Sequence, residues 1–425
     1  YLYVMIKKIK LKNGLRVIFI PQKEGLTSTV LVLVEAGSEY ETKEINGLSH
    51  FLEHMCFKGT KKRPGFGDIA HELDALGAEY NAFTGQEYTG YWAKVEKRKF
   101  ENILELISDL YLNPIFNPKE IEKERGVIIE ELNMYEDTPA SKVHDLFNNL
   151  MHGDQPTGWD IVGKKEIIAR LKREDFIKYR NKHYVAAKTI IVASGNFDQK
   201  LTEKRIKESF GKLPKKQKAK KPKTKLGQNS PRSLVRFKES EQGHLVLGVP
   251  GFDVFDERRI ALSVLANVLG GGMSSRLFKK VRDEMGAAYH VRADSENSID
   301  HGNLSVSAGV AREKLDDVIR AILVEFGRLR TELVPTAELK KAKDHMTSSM
   351  VLGLETSDQL ASFYGGQEVL SSKTRSPEEI IRKVQAITAE DIQRVAKVIF
   401  KKEKLNLAVI GPYKDEAPLK GLLSL

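Results

Sequence analysis

The 425-residue chain has one cysteine, Cys56, so it can form neither an intramolecular disulfide nor a cysteine-rich zinc module. Chains without cross-links suit a reducing compartment, and a cytoplasmic location is expected. No run of about 18 apolar residues occurs, so no membrane-spanning helix is expected. The opening YLYVMIKKIK has neither the apolar run nor the small-residue cleavage site of a signal peptide. Tyr1 to Val4 precede Met5, a plausible native start, and are set aside. Nucleic-acid-binding motifs are also lacking, despite a net charge of +11. That charge is local: residues 212 to 225, KLPKKQKAKKPKTK, hold eight lysines and no acid, which leaves +3 for the rest. Pro214, Pro222 and the absence of apolar periodicity make this stretch a solvated linker rather than a polyanion-binding arm.

With 41% hydrophobic residues, the chain exceeds the roughly 250 residues at which single cores stop growing, so two large halves are expected. Three patches recur in order at nearly one offset, as in a duplication. Gly37 to Leu48-Ser49 matches Gly251 to Leu262-Ser263, each after an apolar strand-like run, VLVLVEA or LVLGVP. Leu76-Gly77-Ala78-Glu79-Tyr80 resembles Met285-Gly286-Ala287-Ala288-Tyr289. Glu174-Asp175, with a strand to Gly195, resembles Glu390-Asp391, with a strand to Gly411. The expected domains are residues 5–211, a basic linker at 212–231, and a homologous second half at 232–425. Within each half, β-rich segments such as Leu15 to Ile20 and Thr29 to Glu35 alternate with amphipathic helices. Phe100, Ile103, Leu104, Ile107, Leu110 and Tyr111 recur at helical spacing until Asn113-Pro114. The fold class is therefore α+β, with two homologous two-layer α/β halves.

LSHFLEHMCF contains H-x-x-E-H. On a helix, His50 and His54 are separated by about 40° of rotation, so both imidazoles leave one face as two metal ligands. Glu53 lies toward that face and suits a general base that takes a proton from a metal-bound water, the division of labour needed for peptide hydrolysis. Cys56 points roughly 200° away from His54 and reads as a small buried hydrophobe. A third ligand is best sought in KEIEKERGVIIEELNMYED, where Glu124 and Glu131 lie nearly two turns apart. Glu131 can reach the metal while Glu124 orients a histidine or substrate. Spacing alone leaves Glu130 as a competitor and an exposed acidic face as an alternative. In the second half, His50, Glu53 and His54 align with Val264, Asn267 and Val268, so only the first half keeps metal chemistry.

These residues resemble the inverted-motif zinc peptidases, the family of pitrilysin, insulin-degrading enzyme and the mitochondrial processing peptidases. HFLEHMCFKGT, Asn81-Ala82-Phe83-Thr84, ERGVIIEE and DQPTGWDIVG appear in the family's order across nearly the whole chain. The resemblance implies a zinc-dependent endopeptidase cleaving extended or unfolded peptides within a clamshell chamber, with one Zn²⁺ per chain. It places the third ligand on Glu131 and implies that Glu124 supports the site from behind the ligands. It also implies that GGGMSSRLFKKVRDEMGAAYHV supplies Arg282 and Tyr289 to stabilise a developing oxyanion. Taken alone, Tyr289 reads as a core aromatic and Arg282 as a solvated helix charge. Gly270 to Gly272 lack a following Gly-Lys-Ser/Thr and form a turn, not a phosphate cradle. The strand from Asn81 through Ala82 and Phe83, with a turn around Gly85, is implied to pair with substrate by β-augmentation. One departure concerns the presequence-processing branch: Asp145 fits its acidic pattern, but Ser141 stands where an acid is expected. Short members of the family further imply a homodimer whose second subunit completes the site, with no nucleic-acid or membrane partner. The competing readings are a catalytically silent scaffold of the same fold and a zinc hydrolase of non-peptide amides.

Overall fold

The computed structural model describes residues 6–425; Tyr1 to Val4 and Met5, the expected start of the first domain, lie outside the described residues. Its elements group into two compact units, each built on one mixed sheet.

In the first unit the strands are β1 (Lys7–Lys10), β2 (Arg16–Pro21), β3 (Thr27–Val34), β4 (Glu79–Thr84), β5 (Thr89–Glu96) and β6 (Thr189–Gly195), in the order β1-β2-β6-β3-β5-β4. The second has β7 (Arg232–Phe237), β8 (Gln242–Pro250), β9 (Ala288–Asn297), β10 (Gly302–Ala311) and β11 (Asn406–Gly411), in the order β7-β11-β8-β10-β9. Without β1 the two orders are the same. Each also has one parallel pair at the same place, β2 with β6 and β7 with β11. The duplication read from three short patches therefore extends to the whole sheet topology.

β3 is apolar nearly throughout because both of its faces are covered, and alternation decides which residue goes where. Val30, Val32 and Val34 join Phe51, Leu52, Leu104 and Ile107 in the main core. Leu31 and Leu33 point to the other face, against Leu360, Ala361 and Tyr364. Those three residues belong to the helix Ser357–Ser371, which follows the second half's strands in sequence but packs on the first sheet. In the converse exchange, Val143, Phe147 and Met151 of the helix Pro139–His152 pack on Val246, Ala408 and Ile410 of the second sheet. Each half's own elements thus form two layers, and a helix from the other half closes the free sheet face.

The compact units are consequently discontinuous, with residues 352–375 in the first and 133–159 in the second. The division at 212–231 is a division of the sequence, whereas packing divides the chain differently. Polar contacts hold the exchanged helix at both ends. Thr29 Oγ1 and Ser357 Oγ share a hydrogen bond of 2.8 Å, while Glu368 accepts from Lys8 Nζ at 2.6 Å and Arg16 Nη1 at 3.1 Å. Glu368 is almost fully buried, so this paired charge fixes position as well as adding attraction.

Residues 212–231 form neither helix nor strand, but they are not solvated throughout as the composition suggests. Lys218 pairs with Glu35 at 2.6 Å, and the largely buried Lys221 pairs with Glu39 and, at 3.0 Å, with Glu87. These carboxylates come from far upstream, which a local charge count cannot register. No helix among the described residues is long and apolar enough to cross a membrane.

The contact between the exchanged helix and the first sheet yields a paired test. A Cβ on Gly365 would lie 2.8 Å from Leu33 Cδ1 and 3.2 Å from Val192 Cγ2, whereas one on Gly366 would meet nothing within 4 Å. Gly365→Leu should therefore lower stability by about 1–3 kcal/mol through overpacking. Gly366→Ala should raise it by about 1 kcal/mol through helix propensity. Urea midpoints of the two variants should move in opposite directions.

Candidate metal centre

The helix Leu48–Cys56 buries Leu48, Phe51, Leu52, Met55 and Cys56 in the first unit's core. It presents His50, Glu53 and His54 from the other side. Its N-cap is Gly47, with φ of 97° and no capping side chain. A Cβ there would meet Val162 O and lie 2.7 Å from Ile168 Cδ1, so glycine is required by conformation and by space. The cap is supplied from outside. Glu41 accepts from the backbone amides of Gly47 at 2.8 Å and Ser49 at 2.6 Å, and from Asn46 Nδ2 at 3.1 Å. Burial pushes the Glu41 carboxyl up to about 7 despite these donors. Ser49 Oγ also bonds Tyr179 OH at 2.8 Å, which ties the first turn to the helix behind it.

The helix Pro118–Glu136 brings Glu124 and Glu131 to the same place. Glu131 Oε2 lies 3.6 Å from His50 Nε2 and 3.6 Å from His54 Nε2. Those distances are too long for hydrogen bonds. They match a shared ion instead, because bonds of about 2.1 Å in tetrahedral geometry separate neighbouring ligand atoms by about 3.4 Å. The ligand atoms of His50, His54 and Glu131 all lie within 4.8 Å of one another. Glu130 is absent from this group, which separates the two candidates that spacing left open.

His54 Nδ1 lies 2.9 Å from Glu124 Oε1, and the other oxygen of Glu124 lies 2.7 Å from Lys58 Nζ. His50 Nδ1 is buried and, among the described residues, has no hydrogen-bond partner, so His50 is aimed by packing and His54 by a carboxylate. Burial, with His54 beside it, pushes His50 down to about 3 and keeps its imidazole neutral. Burial acts the same way on His54, but the Glu124 hydrogen bond and the carboxylates of Glu53, Glu124 and Glu131 outweigh it and raise its pKa. Glu53 is raised, chiefly by burial, against the opposing hydrogen bond donated by Thr84 Oγ1 at 2.7 Å. The donor set of two neutral-capable imidazoles and a carboxylate, with a separate buried carboxylate alongside, fits zinc.

Asn81, Ala82 and Phe83 lie on β4, which leads to Thr84 and so to Glu53. β4 is an edge strand. It pairs with β5 on one side and, among the described residues, with no strand on the other. The turn at Gly85 joins the two, with Gly85 N donating to Tyr88 O. Arg282 and Tyr289 lie in the second unit, on the π-helical segment Phe278–Glu284 and on β9. The guanidinium is 4.9 Å from the centre of the Tyr289 ring, and Tyr289 is 80% exposed. Tyr289 is therefore no core aromatic. Cys56 is fully buried against Tyr91, and burial raises its thiol pKa to about 12.

Sequence reasoning missed Glu41, Lys58 and Thr84 as parts of this centre. Lys58 and Thr84 stand inside the motifs HFLEHMCFKGT and NAFT, which is the only signal they give. Glu41 gives none, because a cap donated across a turn has no fixed spacing.

Residues 16–164 match the family described as Insulinase (Peptidase family M16), and residues 170–346 match the Peptidase M16 inactive domain. YmxG of Bacillus subtilis (strain 168), described as an uncharacterized zinc protease, is 35% identical over 412 residues, which cover 96% of this chain and 98% of YmxG. SCO5738 of Streptomyces coelicolor, described in the same words, is 32% identical over 97% of this chain and 90% of its own length. Among solved structures, a protease from Helicobacter pylori superimposes with a TM-score of 0.90 at 23% identity, covering 96% of this chain and 100% of that one. A chain of complex III2 from Candida albicans gives 0.85 at 20% identity, covering 99% and 100%. At such identities the two structures show a common fold. The sequence matches, which span nearly the full length, show that the chain belongs to peptidase family M16.

Proposed function

We propose that the chain is a zinc-dependent endopeptidase that cleaves unstructured peptides, holding one zinc through His50, His54 and Glu131. The observation that carries this reading is the convergence of three ligand atoms, with Glu131 Oε2 at 3.6 Å from each imidazole nitrogen, beside the buried carboxylate of Glu53. Zinc, when bound, supplies Lewis acidity that polarises a carbonyl and acidifies water. Glu53 takes the proton from the attacking water as its oxygen bonds to the scissile carbonyl carbon. As the C–N bond breaks, the same carboxyl passes that proton to the leaving amine. Its raised pKa suits both steps, and Thr84 holds one of its oxygens while the other serves the reaction.

The free edge of β4 offers main-chain donors and acceptors to an extended peptide alongside Asn81, Ala82 and Phe83. Backbone pairing of this kind favours unfolded over folded substrates. Arg282 and Tyr289 are the donors proposed for the substrate's oxyanion, supplied by the second subunit of a homodimer that encloses the substrate in a chamber.

Zinc-loaded wild type should cleave a mixed pool of unstructured peptides, as read by mass spectrometry, and Glu53→Gln should retain zinc but lose at least about 100-fold in rate. A wild type that holds zinc and cleaves nothing would overturn the peptidase reading. Mixing inactive Glu53→Gln chains with inactive Tyr289→Phe chains should restore activity, and no recovery after proven subunit exchange would overturn the shared site.

Proton competition gives a further expectation. Zinc needs both imidazoles neutral; His50 meets this condition far below neutrality, whereas the raised pKa of His54 does not. As pH falls through the pKa of His54, zinc affinity should weaken by about one decade per pH unit rather than two. Competition with a chelator between pH 8 and 5 would read that slope.

A further inference from the structure

The lysine just beyond the zinc-site helix makes an unassigned contact. Lys58 follows the helix Leu48–Cys56 by two residues, and its backbone amide donates to Met55 O at 3.2 Å, so its origin is fixed to the helix end. Its ammonium lies 2.7 Å from Glu124 Oε2, while Glu124 Oε1 lies 2.9 Å from His54 Nδ1. Glu124 is only 5% exposed. A second contact holds the lysine from outside: its Nζ lies 5.7 Å from the centre of the Phe66 ring, which Lys123 approaches at 5.4 Å.

We propose that Lys58 is a positioning residue for the metal site, fixing Glu124 so that its carboxylate aims His54 Nε2 at the ion. The inference rests on the reading of His50, His54 and Glu131 as zinc ligands. A buried carboxylate with one oxygen bonded retains a torsion through which the other can swing, and a cation on the second oxygen removes it. The constraint matters more for His54 than it would for His50. The helix surface and neighbouring side chains aim His50, whose Nδ1 has no partner among the described residues, whereas the aim of His54 is held by Glu124. Outer partners of metal-binding histidines typically change affinity by about 10–100-fold. Lys58 stands one step further out and acts through the same hydrogen bond.

Lys58→Met should weaken zinc binding about 10-fold in chelator competition, and Lys58→Arg, which keeps a cation and a donor, should restore most of it. The metal-free proteins provide an independent readout. In wild type, the His54 Nδ1 proton should give a far-downfield NMR signal, assigned by its loss in His54→Gln. That signal should move or broaden in Lys58→Met and return in Lys58→Arg. Circular dichroism of each variant identifies any that fails to fold, and Lys58→Gln then replaces Lys58→Met with the charge removed and a donor kept. Unchanged zinc affinity and an unchanged His54 signal in a folded charge-removing variant would overturn the proposal. The ligand reading fails separately, if Glu131→Gln leaves the zinc affinity of wild type unaltered.

Discussion

The buried carboxylate of Glu41 holds the amino end of the helix that carries both histidines, and the proposed metal centre inherits its geometry from that anchor. Gly47 must adopt a positive φ to start the helix, and no side chain at the cap can satisfy the first amides. Glu41 meets two of them at 2.6 and 2.8 Å and adds negative charge at the positive end of the helix dipole. The first turn is thereby fixed against the core, and His50, one residue beyond Ser49, leaves it in a set direction. The cost is a carboxylate buried where burial favours its protonation, raising its pKa to about 7. That cost is offset by three donated hydrogen bonds and by the apolar face of the same helix, which fills the core from Leu48 to Cys56.

A second constraint acts at the scale of the whole fold. Each sheet has an apolar face that its own half does not cover, and the exchange of the helices Pro139–His152 and Ser357–Ser371 covers both. The sheet that positions β4 and the helix Leu48–Cys56 is thus completed by a segment encoded far downstream. Glu368 and Ser357 hold that segment through polar contacts at its ends, while Leu360, Ala361 and Tyr364 fill the space between them. A change at Gly365 can therefore reach the first unit although the residue lies within the second half of the sequence.

Local chemistry was legible in the sequence, and long-range pairing was not. His50, Glu53 and His54 could be read because helical rotation turns their spacing into a shared face. The duplicated sheets could be read because β-strands leave apolar runs at constant offset. Spacing could not separate Glu131 from Glu130, since neighbouring residues on one helix differ only in rotation, and the structure separates them by distance to the imidazoles. The exchanged helices were not read from the sequence, and periodicity within a helix does not say which sheet its apolar face meets. The lysines of 212–225 looked solvated for the same reason, because the acids that bind Lys218 and Lys221 belong to another part of the chain.

The second half shows what this architecture tolerates. At the positions of His50 and His54 it carries Val264 and Val268, both buried, and Asn267 stands in place of Glu53. The metal centre proposed for the first half is an interdependent set: imidazoles facing Glu131, Glu124 between His54 and Lys58, and Glu53 beside Thr84. Removing one member leaves a buried charge or polar atom without its partner, which costs more than the pair contributes. Replacing the imidazoles with valine adds apolar contact, and it leaves no such orphan where the facing carboxylates change with them, so a half of this kind can lose the centre and keep the fold. The two units share a strand order but not a donor set because packing constrains the sheet in both, whereas mutual electrostatic dependence constrains the proposed metal centre in one.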